Sequence, residues 1–70
     1  MSLSLYFTNL ENKKKFLKFI YKYMEKYNLH YDIHYNMGDN DMDVDIDKSS
    51  HFTYEELSPI MDKFKKIEKL

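Results

Sequence analysis

Cysteine is absent from the 70 residues, as are alanine, arginine, glutamine and tryptophan, and glycine (Gly38) and proline (Pro59) occur once each. Without cysteine there is no disulfide, no thiolate nucleophile and no Cys-ligated zinc site. A single glycine cannot build the loop that cradles a phosphate. Without arginine the planar fork that reads base edges and grips phosphates in pairs is missing. No apolar run approaches the ~20 residues of a membrane span. The lysines near the start follow the apolar residues, the reverse of a secretory leader, so a cytoplasmic chain without membrane contact is expected. Lys, Asn, Tyr, Ile and Phe are plentiful where Ala, Arg, Gly and Pro are scarce. That is the residue usage of AT-rich coding DNA, as in low-GC bacteria, their phages and plasmids.

Apolar residues make 43% of the chain and charged residues 33%, the balance of a folded domain. The length sets one domain, residues 1–70, with a core that buries only about 60% of the unfolded surface. The net charge of −1 conceals a strong segregation. Residues 1–28 hold six Lys against two acids, residues 29–47 hold six Asp and no Lys, and residues 48–70 are mixed.

Period-two alternation in residues 3–7 (Leu3, Leu5 and Phe7 against Ser4 and Tyr6) predicts a first strand. Thr8 with Glu11, or Asn9 alone, would cap a helix over residues 9–28. At 100° per residue this helix gathers Leu10, Phe16, Leu17, Ile20, Tyr23, Met24 and Tyr27 on one face. Lys14, Lys15, Lys18, Lys22 and Lys26 lie opposite, while Lys13 falls on the apolar side, where its stem can snorkel. Residues 29–37 and 41–47 alternate again and predict a hairpin turning at Gly38-Asp39. In that register partner numbers sum to 77. Tyr35 faces Met42, Ile33 faces Val44, His34 faces Asp43, His30 faces Asp47 and Asp32 faces Asp45; a slip of two would keep the same faces. Thr53 with Glu56 predicts a second capping box, and Phe52 with Leu57 its staple. The helix that follows buries Leu57, Ile60, Met61, Phe64 and Ile67, kinking at Pro59 or restarting with Ser58 as its cap.

The expected fold class is therefore α+β, in the order β-α-β-β-α. A three-stranded antiparallel or mixed sheet, order 1-3-2, carries both helices on one face. This topology resembles a truncated ferredoxin-like fold, a split β-α-β unit without its last strand. The resemblance is one of topology and implies no functional residue.

The residues with the strongest chemical signal are the aspartates of 41–47. Asp41, Asp43, Asp45 and Asp47 repeat every ~6.7 Å on one face of a strand, although Asp is a poor strand former. Either this is a solvated outer face, or it is an acidic docking surface joined by Asp32, with Tyr21 and Tyr54 as aromatic anchors. His30 and His34 beside Asp43 and Asp47 have metal-ligand chemistry, but ligands along flat strands diverge, so no metal or cofactor is expected. Asp39, Asp41 and Asp43 have the spacing of a calcium loop, but Val44 stands where that loop needs glycine. No spacing activates a serine, so no enzyme is expected. Twelve Tyr and Phe exceed what so small a core can hold, and Tyr6, Phe19, Tyr21, Phe52 and Tyr54 are expected to be left at the surface.

The functional expectation is a small binding protein whose acidic hairpin face docks on a protein partner with a basic groove. Phage- and plasmid-type inhibitors that imitate the charge of nucleic acid are of this kind. The alternatives are a nucleic-acid module using the lysine face of the first helix, which the acidic sheet disfavours, and a regulatory homodimer formed through an edge strand.

Overall fold

The computed structural model describes residues 1–36 and 40–70. The elements are β1 (Ser2–Tyr6), α1 (Leu10–Tyr27), β2 (Asp32–His34), β3 (Asp43–Asp47) and α2 (Tyr54–Glu68). The three strands form one antiparallel sheet in the order β1-β3-β2, and the fold is α+β, as the alternation and amphipathic periods predict.

The acidic strand is central because of what its alternate positions bury. Val44 and Ile46 are fully buried, and so are Phe16 and Ile20 of α1 and Ile60 of α2. Leu5, Phe7 and Tyr31 complete this core. Burying a Val or Ile is worth about 1.5–3 kcal/mol each. Strand propensities span only ~1 kcal/mol, so burial overrides the poor propensity of the intervening aspartates. Both helices pack on this inner side. Phe7 touches both, with its ring 5.3 Å from that of Phe16 and 5.2 Å from that of Phe64.

The expected hairpin register is corrected by one pair. Asp32 faces Asp47, Ile33 faces Ile46 and His34 faces Asp45, so partner numbers sum to 79 instead of 77. The apolar face is unchanged, because a two-residue slip preserves it. The neighbours across the strands are exchanged: Asp32 opposes Asp47 and not Asp45, and His34 opposes Asp45 and not Asp43. β2 is also shorter than the alternation over 29–37 suggests. The turn expected at Gly38-Asp39 lies outside the described residues.

Lys13 explains part of that register. It is 2% exposed, and its ammonium points inward instead of snorkelling. Nζ donates to the carbonyls of Asn36 at 2.5 Å and Asp41 at 2.6 Å and lies 5.7 Å from the Tyr35 ring. The two carbonyls stand on opposite arms of the hairpin, so one side chain of α1 clasps both.

Asn9, the alternative cap, is the one that forms: its side chain accepts from the Asn12 amide at 2.8 Å. Thr8 is engaged elsewhere. Its amide donates to Glu68 Oε1 at 2.9 Å and Asn12 Nδ2 donates to Glu68 Oε2 at 2.7 Å, fastening the end of α2 to the start of α1. Asn28 ends α1 in the left-handed region, at φ 54°. The capping box at Thr53 and Glu56 is complete, and α2 runs unbroken through Pro59, so Ser58 caps no second helix.

Glu56 does more than cap. Its carboxylate also accepts from Lys48 Nζ, at the end of β3, and from the Tyr31 hydroxyl. Lys48, then Tyr31, then the Thr53 amide hold the carboxyl well below its ordinary range, at about 2. Burial pushes the Tyr31 hydroxyl up, and the bond to Glu56 adds to the shift.

Candidate functional site

Among the described residues both helices pack on the inner side of the sheet, and neither lies over its outer side. Along β3, Asp43, Asp45 and Asp47 point to this side while Val44 and Ile46 point to the core. The strand order places Tyr6, Ser4 and Ser2 of β1 beside them in turn, with His34 and Asp32 of β2 on the other flank. Asp32 is exposed, and the three β3 aspartates are half-buried among these neighbours. Four carboxylates thus share one face with a single imidazole among the described strand residues.

Local contacts hold the ladder without neutralising it. The Ser4 hydroxyl donates to Asp45 Oδ1 at 2.6 Å. His34 Nε2 stands 3.3 Å from Asp47 Oδ2, diagonally across the strands. Asp32 and Asp47 face each other directly, an arrangement of like charges that costs stability. Asp41 sits before the strand, where its side chain accepts from Asn36 Nδ2 at 2.8 Å and its carbonyl serves Lys13. Asp41 therefore belongs to the hairpin's clasped end. A shallow depression of about 330 Å³ lies on this face between His34, Asn36, Asp43 and Asp45.

The two tyrosines expected as anchors lie elsewhere. Tyr21 is on α1, and burial, with the Tyr35 phenol nearby, pushes its hydroxyl up. Tyr54 is in the first turn of α2 and is 80% exposed. The aromatic that accompanies the acidic ladder is Tyr6, 72% exposed and directly opposite Asp43. Its position follows from parity once β1 is known to flank β3, because Tyr6 alternates with Leu5 and Phe7. Phe19 and Phe52, expected at the surface, are half-buried, whereas Tyr27, expected inside, is 57% exposed.

Among the described residues the Ser4 hydroxyl donates to a carboxylate, a weaker base than the imidazole that commonly activates a nucleophilic serine. Among the described residues, no three His, Asp or Glu side chains are grouped as a metal ion requires. No helix of the described residues is long and apolar enough to cross a membrane. Comparison of the chain with protein-family models, curated proteins and solved structures gives no match, so the functional reading rests on this geometry.

Proposed function

We propose that this protein is a non-enzymatic binding protein that docks through the outer face of its sheet. The partner is a protein with a basic groove of the kind that holds nucleic acid. The observation that carries the reading is the uncovered face on which Asp32, Asp43, Asp45 and Asp47 stand together, with Tyr6 exposed at its margin. A regular row of single-sign charge resembles a phosphate backbone in its field, and such a field steers encounter with a basic surface. Tyr6 supplies apolar area with a polar tip, the composition of an interface anchor. The two opposed carboxylates, Asp32 and Asp47, cost the free chain stability that a cationic partner would return.

The test begins with a photo-crosslinking residue in place of Tyr6, used to capture the partner in cells. The purified partner is then bound to the wild-type chain in competition with duplex DNA. The reading expects mutual exclusion, together with loss of capture when Asp43→Asn and Asp45→Asn are combined. A captured protein that binds DNA and this chain simultaneously, or that the double variant holds equally well, would overturn it.

A further inference from the structure

The opposite side of the molecule has its own relief. Between the two antiparallel helices runs an open groove of about 940 Å³. Its floor is apolar, formed by Phe19, Tyr23, Tyr27, Leu29, Pro59 and Ile67. Its α1 wall is a row of lysines, Lys15, Lys18, Lys22 and Lys26, and Lys63 stands on the α2 wall. Among the described residues, Lys15 is the only one of these five in a salt bridge, an exposed one with Glu11 at 3.7 Å. Of the two groove acids, Glu56 is engaged by Lys48, which leaves Glu55 at one end.

We infer that this groove is a second docking site, and that its occupant is an amphipathic helix of a partner protein with acidic residues along one flank. Three features select that chemistry. The floor is apolar and continuous, so the occupant has an apolar stripe. The lysines span residues 15 to 26, about 16 Å of helix. Several anions spread along the occupant's length match this row, whereas the single carboxylate of a fatty acid would meet one lysine and leave the others unpaired. Acidic residues repeating at three and four positions on a helix have the required spacing.

Single-stranded nucleic acid fits less well, because its bases need free ring faces. The Phe19 and Tyr23 rings already stack on each other at 5.6 Å with 16° between planes. Lys63 lies over Phe19 at 5.7 Å and Lys26 over Tyr27 at 5.3 Å. A second copy of this chain does not supply the occupant either. Its acidic segment is a strand whose outward positions alternate with core residues, so it has no apolar stripe for the floor.

The test uses three labelled helical peptides with one shared apolar stripe and with Glu, Gln or Lys along one flank. Binding to the full chain is followed by fluorescence anisotropy. The Glu peptide is expected to bind at least about tenfold more tightly than the Gln peptide, and the Lys peptide to bind weakest. Lys18→Glu combined with Lys22→Glu changes two exposed positions and is expected to reverse the order, so that the Lys peptide binds best. Unchanged circular dichroism of this variant separates the effect from unfolding. Asp43→Asn with Asp45→Asn is expected to leave peptide binding unchanged, so this site and the sheet face fail or stand independently. Equal binding of the three peptides, no binding at about 1 mM, or tighter binding of a single-stranded oligothymidylate would overturn the inference.

Discussion

The Tyr31 hydroxyl donates a 2.6 Å hydrogen bond to Glu56 Oε2, joining the segment before β2 to the first turn of α2. Lys48 completes the junction from the end of β3, and the Glu56 side chain keeps only 12% of its exposure. Three separate elements therefore meet on one carboxylate, which must be ionised to accept from all of them.

The first prediction follows from that charge. The Glu56 carboxyl lies at about 2 in the folded chain against an ordinary 4.5, so the folded state favours the ionised form. Its contribution is fully present above pH 4.5 and is lost as pH falls through about 2. Glu56→Gln is expected to cost about 1–3 kcal/mol at neutral pH. It should also flatten the fall of melting temperature between pH 4.5 and 2 relative to wild type. Parallel pH profiles for the two proteins would show the carboxylate to be uninvolved.

Tyr31 gives the alkaline counterpart. Burial and the Glu56 bond raise its hydroxyl, so the folded state favours the protonated phenol. This contribution is full below the unfolded value of 10 and is lost as pH rises above it. Phenolate absorbance is expected to show one tyrosine ionising only with unfolding, and Tyr31→Phe should remove that step.

Lys13 carries the third prediction. Lys13→Met keeps most of the buried volume but leaves the Asn36 and Asp41 carbonyls without their donor. The expected loss is about 1–3 kcal/mol in urea unfolding. For 70 residues the whole stability is on the order of 3–10 kcal/mol, so the effect is large. Hydrogen exchange should accelerate first in β2 and the neighbouring end of β3. A neutral result would mean that the ammonium makes no such clasp in solution.

The role of Lys13 also marks where the sequence stopped being legible. Alternation and helical period disclosed every element, the strand order and the apolar face, because burial enforces them residue by residue. The register was not disclosed, since pairings that sum to 77 and 79 bury the same side chains. What separates them is long-range, including a lysine 23 residues from the carbonyl it serves. The acidic ladder was legible for the same reason as the core, as its complement. Its aromatic companion was not: Tyr21 and Tyr54 have the exposure of anchors but lie on the helices, and only the placement of β1 beside β3 brings Tyr6 to the face.

The register has its own test. Asp32 opposes Asp47, so Asp32→Lys replaces a like-charge pair by an attractive one. The expected gain is about 0.2–1 kcal/mol, a rise of roughly 1–8 °C in melting temperature. In double-mutant cycles Asp32→Lys should couple to Asp47→Asn more strongly than to Asp45→Asn. The reverse order would restore the pairing that sums to 77.

The last prediction separates a docking face from a merely solvated one. In the combined variant Asp43→Thr with Asp45→Thr, two of the four carboxylates leave the sheet while Val44 and Ile46 keep their places in the core. The fold is expected to survive, because threonine is the better strand former and the repulsion along β3 is relieved. Against this stands the hydrogen bond from Ser4 to Asp45, worth about 0.5–1.5 kcal/mol, which the threonine hydroxyl can partly replace. The net change in stability should therefore be within about 1 kcal/mol of zero. Binding to the partner captured at Tyr6 should fall by far more. Truncating a desolvated, paired charge costs about 2–5 kcal/mol and acts on the dissociation rate, whereas a rim charge mainly slows association. The salt dependence of the association rate should also become shallower, because fewer charges steer the encounter. Lost affinity with retained stability is the outcome that a docking face requires. Lost stability with affinity following it down would assign the aspartates a structural role. Unchanged affinity at low salt would remove the acidic face from the function altogether.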